Sequence, residues 1–342
     1  MSIQGGTARP NAATIATTTH PTTTTTTPTP TATSPMNATT PTVADAADQA
    51  TAGTTKDTIK IKCISYNCKG FKQGNDYIRT LLQNTDIILL SETWLRPGEL
   101  MSIQMWIDAL NIGHYKVYAK SSMESNAGSY SGRPFGGLAI IVKASNHFNV
   151  REISLDSDRV MSVSVHDLND TIVHTLVNVY MPFHDGTVAM AEELVGTLDV
   201  MQSIVESVNG SCPIKFFGDF NCQLPKSKPR SVTWYRSPGF NRHSSIVYDF
   251  IASNELVVAD FLANQSVQYT YFCHARNVHT WIDHILCFDY DAPSVDTCSI
   301  LPPSPDNDSD HLPLECTFSM SISQVRGCLP NQPPSSRSSY AR

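Results

Sequence analysis

The chain has 342 residues, a formal net charge of −7, a pI of about 5.8 and nine cysteines. The acidic balance excludes a protein that grips nucleic acid by overall charge, so any such role must rest on local patches or a bound cation. No long apolar run and no charged-then-apolar leader is visible, so a soluble protein without membrane attachment is expected. The odd number of scattered cysteines, none in a CxxC pair, points to reduced thiols and an intracellular home, in nucleus or cytoplasm.

Residues 1–56 are rich in Thr, Pro and Ala, as in "PTTTTTTPTPTATSP". Such a segment has too few large apolar groups to offset its ordering entropy, and disorder is expected. Residues 57–321 read as one domain, and 322–342, ending "NQPPSSRSSYAR", as a second loose tail. Within the domain, β-branched and aromatic runs predict strands at 59–67, 86–92, 115–120, 138–143, 160–165, 175–180, 214–219, 282–288 and 313–318. Helical spacing is clearest over 189–208, where Leu194, Leu198, Met201, Val205 and Val208 form one stripe; 76–84 and 248–256 are further candidates. Many strands with helices between only some of them predict a mixed α/β sandwich.

Polar residues recur where these runs stop. Asn67 ends the first strand, Glu92 the second in "LLSETWL", and Tyr180 a later one in "NVYMPF"; Asp219 and Asn221 follow "IKFFG". Asp283 lies inside "TWIDHIL", and Asp310 and His311 in "SDHLPL". Singly, Asn67 reads equally as a turn, Glu92 as a helix-start carboxylate and Asp310 as an N-cap. Asp283 is harder to dismiss, because a carboxylate inside an apolar strand is costly unless paired. Together they make chemical sense. Glu92, with Asn67 and Asp310, offers the hard oxygens that Mg²⁺ prefers, Mn²⁺ being the alternative. Asp219 can activate a water, Asn221 hold the scissile phosphate, and Asp283 orient His311 as a proton donor. This describes metal-assisted hydrolysis of a phosphodiester.

In order and wording, "SYNCKG", "SETWL", "VYMPF", "GDFN", "TYF", "TWIDHIL" and "SDHLPL" resemble the endonuclease/exonuclease/phosphatase superfamily. "GRPFGGLAIIVK", "RVMSVSV" and "SDHLPL" are most similar to endonuclease domains of LINE-type non-LTR retrotransposons. The resemblance implies a four-layer α/β sandwich with two packed mixed β-sheets flanked by helices. It implies a Mg²⁺-dependent nicking enzyme leaving 3′-hydroxyl and 5′-phosphate ends, acting on duplex DNA as a monomer. It also places Tyr180 among the catalytic residues and Thr270, in "TYF", near the substrate. There are departures. Abasic-site endonucleases tend to carry an acid two positions after the first asparagine, where this chain has Lys69. The inositol polyphosphate 5-phosphatase signature is replaced by Trp281-Ile282-Asp283-His284.

After the "GDFN" turn, Lys226, Lys228, Arg230, Arg236 and Arg242 occur with Trp234, Tyr235 and Phe240 and no acidic residue. The pattern reads either as a phosphate-binding, base-wedging patch or as a solvated loop with a few core aromatics. The segment 271–281 reads as a hairpin with His274, Arg276 and His279 near its tip, placed against a DNA groove or simply exposed. The alternatives to DNA nicking are a phosphoesterase of the same superfamily acting on abasic DNA, RNA or a phosphoinositide, and a non-catalytic domesticated binding protein.

Overall fold

The computed structural model describes residues 56–123, 134–208, 210–226 and 241–323. Lys228, Arg230, Trp234, Tyr235, Arg236 and Phe240, and nearly all of both expected tails, lie outside the described residues. Twelve strands form two sheets of six. In the first, the order is β13 (Val295–Ile300), β14 (Leu314–Ser323), β1 (Lys56–Asn67), β2 (Ile87–Ser91), β4 (Leu138–Lys143) and β3 (Tyr115–Lys120). In the second it is β5 (Asn149–Ile153), β6 (Val160–His166), β7 (Ile172–Tyr180), β8 (Ile214–Asp219), β12 (Asp283–Phe288) and β9 (Leu256–Val258). Each sheet is mixed, with one parallel pair, β1 with β2 and β7 with β8. A separate hairpin joins β10 (Tyr271–Cys273) to β11 (Val278–Thr280).

Alternation along the strands decides the layering. On β1, Ile61 and Cys63 face the second sheet, while Ile64 and Tyr66 face helices α1 (Phe71–Leu82) and α2 (Met101–Leu110). On β8, Phe217 faces the first sheet, and Ile214 and Phe216 face α3 (Val188–Val208) and α4 (Arg242–Ser253). The result is the expected four-layer sandwich, helices–sheet–sheet–helices. One polar side chain ties the sheets together. Asn178 on β7 is fully buried and donates to the carbonyls of Leu90 (2.8 Å) and Ala139 (3.2 Å) across the interface. The lysine that interrupts the apolar run of β8 also points inward. Lys215 donates to Asp291, to Ser294 Oγ (3.0 Å) and to His174 Nε2 (3.1 Å), and lies over the Phe318 ring.

All nine predicted strands form, and the helix over 189–208 forms nearly to the residue. Two helix positions differ. The first begins at Phe71, not 76, and the last spans 242–253, not 248–256. Asn241 sets the latter start, its Oδ1 accepting from Ser244 N at 3.0 Å as an N-cap. Helix α2 and strands β5, β9 and β13 were not foreseen. Among the described residues, no helix is long and apolar enough to cross a membrane.

Candidate active site

The polar residues at the strand ends meet where one edge of each sheet comes together. In register, Asn67 pairs with Ser91, Tyr180 with Asp219, and Asp219 with Asp283 on the antiparallel neighbour. Two like charges directly opposite on a sheet repel, so a counter-charge is needed. His311 supplies it. Its Nδ1 lies 2.8 Å from Asp283 Oδ2, and its Nε2 lies 3.9 Å from Asp219 Oδ2. Burial opposes a charged imidazole, but the charges of Asp283, Asp219 and Asp310 and the Asp283 hydrogen bond outweigh it, pushing His311 up to about 9. Burial, aided by Asp283, pushes the Asp219 carboxyl upward against His311 and the bonds from Asn67 and Asn221.

From the first sheet, Asn67 reaches across. Its Nδ2 donates to Asp219 Oδ2 at 3.0 Å and to Glu92 Oε1 at 3.2 Å, and its Oδ1 accepts the Lys69 N–H at 3.2 Å. The Tyr180 hydroxyl donates to Glu92 Oε1 at 2.7 Å, and Trp94 Nε1 to Glu92 Oε2 at 3.1 Å. Burial and the charges of Glu92 and Asp219 hold the Tyr180 phenol well above its usual range, so it stays a donor. Glu92, Trp94 and Asn221 all take left-handed backbone conformations, with φ of 53°, 53° and 49°. Such values are rare outside glycine and mark backbone over-determined by its surroundings. At Asn221 the turn is locked by its own N–H on Asp219 Oδ1 (2.8 Å) and by its Nδ2 on the Met181 carbonyl (2.8 Å).

The glycine of "GDFN" has a steric reason. Gly218 has φ +152°, and a Cβ there would stand 1.8 Å from the Val179 carbonyl oxygen on β7. Only glycine lets β8 approach closely enough to set Asp219 beside Tyr180.

The remaining expected residues are more dispersed. Asp310 forms an ion pair with Lys69, Nζ to Oδ2 2.6 Å. Thr270 is fully buried, and its Oγ1 accepts the backbone N–H groups of Ile282 and Asp283, both at 3.0 Å. It props the strand that carries Asp283 from beneath. Lys226 is exposed, bonded to Gln268 Oε1 (3.0 Å) and seated over the Trp281 ring (4.8 Å). Arg276 is exposed in the turn between β10 and β11. The inner side of that hairpin meets the cluster, with the Tyr271 and His311 ring centroids 4.9 Å apart. Sequence reasoning missed two supporting residues. Trp94, inside the quoted "SETWL", holds Glu92. Ser309, in "SDHLPL", donates to the Asn67 carbonyl (2.7 Å) and accepts from His311 N (3.1 Å).

The donor chemistry fits a divalent cation. Among the described residues no lysine or arginine forms an ion pair with Glu92, Asp219 or Asp283, so the site carries excess negative charge. Ligand atoms of Asp219, Asp283 and His311 lie within 4.8 Å of one another. A protonated imidazole committed to Asp283 is a poor ligand, whereas Glu92 is half-buried and offers hard oxygens.

A two-sheet sandwich with an acid–imidazole cluster bridging its edge defines a hydrolase of phosphate esters. The chain belongs to the endonuclease/exonuclease/phosphatase family, whose model matches residues 64–311. Enzymes of this family depend on divalent metal. No curated protein matches the chain. Solved structures share the fold at low identity. An AP endonuclease from Leishmania major is 15% identical, with TM-score 0.58, over 76% of this chain and 87% of that one. The catalytic domain of Xenopus laevis APE2 is 18% identical, with TM-score 0.54, over 78% and 94%. A 3′ phosphatase from Neisseria, bound to a product DNA hairpin, is 14% identical, with TM-score 0.54, over 75% and 99%.

Proposed function

We propose that the protein is a Mg²⁺-dependent endonuclease that nicks duplex DNA, of the kind carried by non-LTR retrotransposons. The observation that carries this reading is the placement of Asp219 between Asn67 and the His311–Asp283 pair, beside Glu92. Glu92 would hold the ion, and Asn67 Oδ1, which accepts a single backbone N–H, keeps a lone pair for it. When bound, the ion neutralises charge on the scissile phosphate.

The chain's own groups do the rest. Asp219 takes a proton from the attacking water as its oxygen bonds to phosphorus. His311, with Nδ1 turned to Asp283, presents Nε2–H to a phosphate oxygen and stabilises the charge that develops there. Asn221 steadies the same phosphate. The bond from phosphorus to the 3′ oxygen breaks, and that oxygen takes a proton from solvent. The ends are a 3′-hydroxyl and a 5′-phosphate. Arg276 at the hairpin tip and the basic segment containing Lys226, Lys228 and Arg230 supply the DNA contacts. The free cysteines of the described region suit action inside the cell, in nucleus or cytoplasm.

A second reading is repair-type action at abasic sites or blocked 3′ ends, favoured by what the solved relatives are named for. One experiment separates the two. Supercoiled plasmid, an abasic duplex and a 3′-phosphorylated duplex are incubated with and without Mg²⁺, and the products end-labelled and extended with polymerase. Nicking of intact plasmid to extendable ends, most often at flexible pyrimidine–purine steps, supports the first reading. Action on the abasic or 3′-phosphorylated duplex alone replaces it with the second.

A further inference from the structure

Lys69 stands inside the acidic cluster, and neither the catalytic nor the metal-holding residues account for it. Its backbone is left-handed, φ 49°, and its N–H is tied to Asn67 Oδ1. That turn carries the side chain back over the site, where Nζ meets Asp310 Oδ2 at 2.6 Å. Both partners are anchored. Ser309, next to Asp310, donates to the carbonyl of Asn67, and the Asp310 carbonyl accepts from Phe272 N at 2.8 Å. The pair is partly shielded, with the lysine side chain 38% exposed and the aspartate 18%.

Charge pairing then decides how much metal the site needs. Four carboxylates line it: Glu92, Asp219, Asp283 and Asp310. His311 answers Asp283, and Lys69 answers Asp310. Glu92 and Asp219 are left, and one divalent ion balances them. An ammonium has three N–H donors, and among the described residues Asp310 is the only side chain that Lys69 Nζ meets. The remaining donors are available to an incoming anion.

We propose that Lys69 is a fixed second cation. It occupies Asp310, keeps that carboxylate from recruiting a second metal ion, and presents its free N–H groups to a DNA phosphate next to the one cleaved. The protein therefore takes one divalent ion. This inference rests on the endonuclease reading for its substrate, but its test requires no turnover.

Mn²⁺ binding is measured by electron paramagnetic resonance titration of the full chain without DNA, for wild type, Lys69→Gln, Lys69→Asp and Lys69→Arg. In parallel, binding of a duplex oligonucleotide is measured in EDTA over a salt series. Circular dichroism melting confirms that each variant is folded. Wild type and Lys69→Arg should bind one Mn²⁺, and Lys69→Asp a second, weaker equivalent. Lys69→Gln should make the negative slope of log affinity against log salt shallower by about one relative to wild type, and Lys69→Arg should not. Two Mn²⁺ ions on the wild type, no second ion on Lys69→Asp, or an unchanged slope in Lys69→Gln would each overturn the proposal. None of those results would touch the nicking assay, whereas failure to nick, abasic or 3′-phosphorylated duplexes included, would leave ion count and salt slope interpretable by themselves.

Discussion

At the scale of single residues, the proposed chemistry rests on one dyad and one carboxylate. If Asp283 acts by orienting and charging His311, the two form a unit. His311→Ala and Asp283→Ala should each lower kcat by roughly 10²–10⁴, and the double variant should lose little more. Steady-state nicking rates of the three variants measure this, and losses that multiply would show two independent roles. Tyr180 makes a subtler case. Its hydroxyl donates to Glu92, so Tyr180→Phe should raise the Mg²⁺ concentration for half-maximal nicking by about tenfold while leaving saturated kcat near wild type. Most of this cluster is legible in the sequence, because Asn67, Glu92 and Asp219 are polar residues placed where apolar runs end and Asp283 is a carboxylate inside one. The sequence offers Asp310 as a metal-holding carboxylate and Lys69 only as a departure from the abasic-site pattern. That one neutralises the other depends on a left-handed turn and on a loop some 240 residues further along the chain, and no local pattern encodes it.

Among elements, the strands were easier to read than the helices. A strand buried on both faces is a near-continuous apolar run, as in β2 and, with Lys215 the one interruption, in β8; the residues of both are all buried. Edge strand β5 buries only Val150 and so leaves no such run. Helix α2 buries Ile103 and Ile107 but exposes Met101 and Met105. Apolar residues on both of its faces blur the helical period. The prediction at this scale concerns the seam between β7 and β8. Gly218→Ala places a Cβ against a backbone oxygen that cannot move without breaking the parallel pairing. Urea denaturation should show a loss on the order of 3–5 kcal/mol, with Asp219→Asn, a change at the adjoining position, losing far less.

For the whole molecule, stability carries a buried polar knot between the sheets. His174 is buried, accepts from Lys215, packs against Phe318, and lies 3.9 Å from an Asp291 already committed to that lysine. Burial, and then the positive charge of Lys215, lower its pKa to about 3. The unfolded chain has the ordinary imidazole value near 6.5. Between those values the unfolded state binds a proton that the folded state refuses. The contribution is therefore complete above about pH 6.5 and is lost as pH falls toward 3, at about 1.4 kcal/mol per unit. His174→Gln keeps an acceptor for Lys215 and has nothing to titrate. Its melting temperature should fall less steeply than that of wild type between pH 6 and 4, and parallel curves would remove His174 as the cause.

The pairing of the first strand with the last has a consequence for how the protein comes into being. Strand β1 lies between β14 and β2, and Lys56 stands opposite Ser323 at the far end of that ladder. Asn67 is made before the rest of the site and waits for groups made some 150 to 250 residues later: Asp219, Asp283 and His311. A growing chain on the ribosome thus carries Asn67 and Glu92 well before the acid–imidazole cluster can assemble around them. Contacts this distant in sequence also fold slowly. Whatever the site does therefore waits until β14 pairs with β1 and closes the first sheet.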